Sequence, residues 1–145
     1  MSFIDCSKVY ADISKFSIPD NQIYGAFAKV NIKKGELVEK GIMFRLSDNI
    51  NKAFNGMNNP FVFTWSNDNP NYTWAFPSGY ATLYNTELDS NTKIIRYFDK
   101  DKFEIYATKD IKMGDELTHT YKSLKWRNTF KPLYTQLLKD VSSND

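Results

Sequence analysis

One cysteine, Cys6, and one histidine, His119, are all the chain has of either residue. An internal disulfide and a multi-cysteine zinc site are therefore excluded, and a reducing compartment is favoured over a secreted one. A cysteine–histidine nucleophilic pair gains no support from a count of one each, and metal catalysis ranks low. Long apolar runs are also missing. No stretch approaches the roughly 18 apolar residues that a membrane span needs, and the N-terminus lacks the basic and then apolar run of a signal peptide. The expectation is a soluble intracellular protein. Charge of one sign is scarce too: the formal net charge is +2, with basic residues dispersed among acidic ones, so no dedicated nucleic-acid surface is expected.

What is present is apolar and aromatic. At 145 residues, 41% apolar and 16% aromatic, the chain can bury one core without metal or disulfide support, and a single domain over 1–145 is expected. Turn residues punctuate short runs of strand-forming ones. Val9 to Ile18 reads as a strand or two ending at Pro19-Asp20-Asn21. Tyr24 to Ala28, the turn Lys33-Lys34-Gly35-Glu36 and the strand Leu37-Val38-Glu39 read as a hairpin-like unit. The Asn-rich stretch 49–59 leaves room only for a short helix. Phe61 to Trp65 and Tyr72 to Phe76 read as aromatic strands joined by a polar loop, with their aromatics in the core. Lys93 to Phe98 and Lys102 to Ala107 flank Asp99-Lys100-Asp101 as a β-hairpin. The spacing of Phe130, Leu133, Tyr134, Leu137, Leu138 and Val141 predicts a C-terminal helix over about 127–141, with Pro132 in its first turn.

Two patterns stand out. Ala28-Lys29-Val30-Asn31-Ile32-Lys33-Lys34-Gly35-Glu36-Leu37 repeats as Ala107-Thr108-Lys109-Asp110-Ile111-Lys112-Met113-Gly114-Asp115-Glu116-Leu117, with one residue added. Two copies are too few for a solenoid and imply two similar strand-turn-strand corners. After the second corner, Leu117, His119 and Tyr121 alternate with Thr118 and Thr120, a period-2 strand with two different faces. The turn-rich segment Leu83 to Asn91 is expected to meet it beside Tyr121.

In order along the chain, Tyr24-Gly25-Ala26-Phe27-Ala28, Ile32-Lys33-Lys34-Gly35-Glu36-Leu37-Val38-Glu39, Tyr84-Asn85 through Asn91, and Gly114-Asp115-Glu116-Leu117-Thr118-His119-Thr120-Tyr121 with Trp126 resemble the SET-domain protein lysine methyltransferases. The resemblance covers about Ile23 to Trp126, and the length resembles the minimal SET proteins of some viruses. It implies a mainly β fold of several small curved sheets, β-clip-like, with a core at about 9–126. The segment at Asn85 would be tucked against the one ending at Tyr121 in a knot-like arrangement. It also implies S-adenosylmethionine as cofactor, a protein or peptide substrate presenting a lysine, and a cytoplasmic or host nuclear location.

By that resemblance, Tyr121 is the catalytic tyrosine, and His119 stands where the family has a Phe or Tyr lining the lysine channel. An imidazole there is smaller, polar and titratable near neutrality; a histidine hydrogen-bonded within a strand is the equal alternative. Tyr24, Gly25, Ala26, Tyr84, Asn85, Thr86 and Trp126 would form the cofactor site. Ile23 replaces the first glycine of the family's Gly-x-Gly loop. In its Asn-His-Ser segment, Thr86 replaces the histidine and Glu87 the serine, while Ser90 replaces the usual proline. A carboxylate at Glu87 needs a partner or solvent in such a crowded region. Trp126 would pack near the adenine or anchor the C-terminal helix, and that helix would cover the lysine channel or form a homodimer contact. The alternative function is a SET-like module without catalysis that binds a peptide by strand addition. A plain β-rich structural protein is the third reading.

Overall fold

The computed structural model describes residues 2–53, 63–65, 73–121 and 135–139. Among the described residues, eight strands form two antiparallel sheets: β1 (Val9–Ile13), β2 (Tyr24–Ala28), β3 (Leu37–Arg45), β4 (Phe63–Thr64), β5 (Trp74–Pro77), β6 (Thr92–Tyr97), β7 (Lys102–Ala107) and β8 (Glu116–Leu117). The first sheet runs β1-β2-β8, the second β4-β5-β3-β7-β6. A short helix, α1 (Asp48–Ala53), follows β3, and a 3-10 turn spans Ala81–Leu83. Residues 135–139 are helical. The rest of the expected C-terminal helix, Trp126 and the loop joining the aromatic strands lie outside the described residues.

The alternation in the sequence builds the second sheet. Along β7, Phe103, Ile105 and Ala107 are buried while the residues between them are partly exposed, and β6 pairs with it from Thr92↔Ala107 to Tyr97↔Lys102. This is the hairpin expected from the sequence. Its turn places Asp101 at a φ of 50°, a conformation that Asp tolerates better than most residues. The Asp101 carboxylate accepts the indole N–H of Trp65 at 2.8 Å and faces Arg45 at 3.4 Å, which ties the turn to the residue after β4 and to the end of β3. The aromatic strands also pair as expected, Phe63↔Ala75 and Thr64↔Trp74.

The repeated segments form matched corners that clasp each other. Ile32 and Ile111 exchange backbone hydrogen bonds of 2.8 and 2.7 Å. Gly35 donates to Ala107 O and Gly114 to Ala28 O, each at 2.8 Å, so equivalent donors meet equivalent acceptors across a local two-fold. Both glycines have positive φ, 88° and 93°, which a side chain would strain. One expectation fails here: Tyr24–Ala28 and Leu37–Arg45 form no hairpin. β2 pairs with β1 and β8, whereas β3 pairs with β5 and β7. The Lys33–Glu36 turn is a corner between sheets, because its backbone groups are satisfied by the other corner and by Ala107 instead of by a returning strand.

Candidate active site

Residues 85–92 and 116–121 run side by side in the same direction, through the parallel bridges Asn85↔Thr118 and Thr92↔His119. Side chains complete a ladder that so irregular a segment cannot make with backbone alone. Asn91 donates Nδ2–H to Glu116 O and accepts Thr118 N–H, both at 2.9 Å. Thr92 Oγ1 donates to Thr118 O at 2.8 Å, and His119 N–H reaches Asn85 O at 3.1 Å. The knot-like crossing expected beside Tyr121 is therefore present. The period-2 reading of 117–121 needs correction. Glu116, Leu117, Thr118 and His119 are all buried, because this part of the segment threads through the interior, and only at Thr120 does it reach solvent.

Tyr121 sits where the crossing ends. Its N–H donates to Thr86 Oγ1 at 3.1 Å and its phenol to the Tyr84 carbonyl at 2.8 Å. Thr86 is 3% exposed, so its side chain serves the tyrosine from below. Tyr84 is buried as well, and its own phenol donates to Glu39 Oε1 at 2.8 Å. Glu39 also accepts the Tyr80 N–H at 2.8 Å. With no exposed surface, the Glu39 carboxyl is pushed by burial up to about 7, and burial together with that neighbour drives the Tyr84 phenol well above its ordinary value.

The His119 ring lies 5.0 Å from Tyr121, 5.8 Å from Tyr84 and 5.9 Å from Phe63, centroid to centroid. It does not titrate near neutrality, contrary to expectation. Burial, and secondarily the Arg96 guanidinium, push it down to about 3. Nor is it a hydrogen-bonded strand histidine at Nδ1: that atom and Arg96 Nε are buried without partners. Arg96 comes from β6, on the face it shares with Thr92 and Ile94, and burial lowers it to about 10. The site thus holds a neutral imidazole beside a cation that has no carboxylate partner among the described residues.

At the other end of the crossing, Asn85 Nδ2 donates to Tyr24 O at 3.2 Å, Ser14 Oγ at 3.0 Å and Glu116 Oε2 at 3.0 Å. Gly25 is buried at this point and its φ is not positive. A Cβ there would collide with the Glu116 carboxylate and come within 3.3 Å of Asn85 Nδ2. Protein groups, in other words, occupy the space that the missing side chain leaves. Ala26 is fully buried, whereas the Tyr24 ring is 67% exposed at the rim. Glu87 finds the partner it requires: it accepts Thr118 Oγ1–H at 2.8 Å and lies 4.0 Å from Lys15.

The structure so brings Tyr24, Gly25, Tyr84, Asn85, Thr86, His119 and Tyr121 together, with Ala26 beneath them; Trp126 lies outside the described residues. Ser14, Glu39, Arg96 and Glu116 are participants that sequence reasoning missed. Only the unusual phrase Glu116-Leu117-Thr118, a charge beside a buried run, offered a signal for one of them.

Comparison with known proteins gives this arrangement a family. The SET domain pattern matches residues 24–122. No curated protein matches the chain in sequence. Among solved structures, a Plasmodium falciparum protein described as a candidate histone methyltransferase superposes with a TM-score of 0.58 at 21% identity, covering 82% of this chain and 96% of its own. The structure of ctPRC2 in an autoinhibited conformation bound to S-adenosylmethionine gives 0.63 at 21% identity, over 94% of this chain and 17% of that one. A humanized mutant of the Chaetomium thermophilum Polycomb Repressive Complex 2, bound to an inhibitor, gives 0.55 at 22%, over 79% and 15%. At these identities the likeness is one of fold, and the chain spans under a fifth of the two Polycomb chains. The family pattern, by contrast, spans most of this chain and includes the Asn85 and Tyr121 crossing, and the chain belongs to the SET-domain family.

Proposed function

We propose that the protein is an S-adenosylmethionine-dependent protein lysine N-methyltransferase. The observation that carries this reading is the crossing itself, which puts the phenol of Tyr121 on the Tyr84 carbonyl and the carboxamide of Asn85 at the rim, one residue away from it in sequence. The residues present fit the cofactor. A half-exposed carboxamide and the exposed Tyr24 ring stand together at the rim, and the described residues place no lysine or arginine in an ion pair with Asn85's neighbour Glu116. Such a mixed polar and aromatic edge suits a ligand with an ammonium on its amino-acid end and an aromatic base. When bound, the sulfonium cofactor would supply the methyl group, which passes to the amine as the thioether leaves in line.

The chain's own contribution is alignment, desolvation and control of a proton. Donation to Tyr84 O fixes the direction of the Tyr121 proton, so the phenol oxygen is set to accept from a substrate amine. Thr86 holds the backbone of Tyr121, and Glu39 holds Tyr84. The rings of His119, Phe63 and Tyr84 exclude water from the amine's approach. A lysine attacks only as the neutral amine. Burial among these rings disfavours the ammonium, and the Arg96 charge that already lowers His119 acts in the same direction.

Titration calorimetry with S-adenosylmethionine and S-adenosylhomocysteine tests the reading. Binding that persists in Tyr121→Phe and disappears in Asn85→Ala is the expected result. Absence of binding by folded wild-type protein rejects the enzyme and leaves a peptide-binding module.

A further inference from the structure

Ser14 directly follows β1 and Glu116 lies in β8, the two strands that flank β2. Their side chains meet over Gly25, the position where β2 has nothing to interpose. Glu116 is 6% exposed and takes part in no ion pair among the described residues. Its carboxylate is held by neutral donors alone: Ser14 Oγ–H at 2.7 Å, Lys15 N–H at 2.8 Å and Asn85 Nδ2 at 3.0 Å.

This arrangement decides which way the Asn85 carboxamide faces. A carboxylate and the Tyr24 carbonyl have no proton to give, so only the NH2 edge of Asn85 can face them. The oxygen edge must point the other way, and no donor among the described residues bonds to Asn85 Oδ1. An outward carbonyl oxygen backed by an uncompensated buried carboxylate attracts a cation and repels an anion.

We propose that Ser14 and Glu116 are positioning residues that lock Asn85 with its oxygen outward, and that this makes the site select nucleoside ligands carrying an ammonium on the amino-acid end. The inference rests on the cofactor reading above. Glu116→Gln undoes the lock specifically. The carboxylate oxygens accept from the Lys15 N–H, a backbone donor that cannot reverse, and from the Asn85 NH2, and glutamine, with one oxygen, must keep it on Lys15. Its own NH2 would then face a donor, and rotation of Asn85 relieves the conflict.

The test is calorimetry on the full chain with S-adenosylhomocysteine and with its deamino analogue, which keeps the carboxylate and lacks the ammonium. Wild type is expected to prefer the former by about tenfold or more. Glu116→Gln and Ser14→Ala are each expected to bring that ratio towards one by weakening S-adenosylhomocysteine alone. Ser14→Ala carries the test if Glu116→Gln melts below the assay temperature. An unchanged ratio in the folded variants overturns the inference and leaves the cofactor reading standing. So does an equal loss for both ligands, the mark of a merely structural role. Wild type that binds neither ligand overturns both proposals.

Discussion

The phenol of Tyr121 donates to the backbone carbonyl of Tyr84 across 2.8 Å. Tyr84 is 1% exposed, so the phenol end of one tyrosine is fixed by the backbone of another that is buried. Because that carbonyl belongs to the residue before Asn85, a single peptide segment places both the phenol proposed as catalytic and the carboxamide proposed to face the cofactor.

Removal of the Tyr121 hydroxyl should therefore separate chemistry from binding. Tyr121→Phe keeps the ring against His119 and loses the bond to Tyr84. A rate lower by about 10²-fold or more is expected from a misplaced or missing polar group at the reacting centre, with cofactor affinity unchanged by calorimetry. Single-turnover methylation assays supply the rate.

Glu39 and His119 predict opposing pH dependences of stability. Glu39 is raised from 4.5 to about 7. The folded state thus prefers it protonated, and its contribution is full below pH 4.5 and lost as pH climbs through 7, about 3 kcal/mol in all. His119 is lowered from 6.5 to about 3. Its contribution is full above pH 6.5 and lost as pH falls towards 3, about 5 kcal/mol. Between pH 4.5 and 6.5 the two slopes offset. Denaturation of Glu39→Gln across this range should show stability rising with pH up to 6.5 and then level. His119→Phe should show it falling from 4.5 to 7. Flat profiles in both variants would contradict the assignment.

Gly25→Ala should be costly although its backbone is ordinary. The added methyl meets the Glu116 carboxylate and the Asn85 amide, and crowding of this kind costs about 1–3 kcal/mol. Thermal melting measures that cost, and cofactor affinity should fall with it because Asn85 is displaced. An alanine variant with wild-type stability and affinity would show that the site has slack there.

Arg96→Met tests the buried cation. Burial is the larger influence on His119 and Arg96 the smaller, so the imidazole should titrate only modestly higher by NMR. A substrate amine entering beside it loses the same repulsion. The pH of half-maximal kcat should move up by about 0.5 to 1 pH unit. No movement would place the guanidinium's effect outside the reaction.

Legibility in the sequence followed the range of the forces involved. The β6–β7 hairpin could be read because alternation and turn chemistry are local, and Gly35 and Gly114 announced their corners for the same reason. The partner of the Lys33–Glu36 turn was not legible. The turn predicts a reversal, and only the second corner, far along the chain, shows that its hydrogen bonds go elsewhere. Tyr121 and Asn85 were singled out through the order of motifs, and the fold brings their segments together. Ser14, Glu39, Arg96 and Glu116 were not, since a charged or hydroxyl residue looks the same in sequence whether it is solvated or buried with partners. Ser14 and Glu116 meet only because Gly25 lets them, and that meeting is a property of the folded sheet.

The most direct measurement is mass spectrometry of protein extracts incubated with the purified chain and a cofactor carrying a deuterated methyl group. The account predicts labelled methyl on lysine side chains with wild type, and its loss with Tyr121→Phe. Folded, cofactor-binding wild type that leaves lysine unlabelled, or label that persists undiminished in Tyr121→Phe, would contradict it.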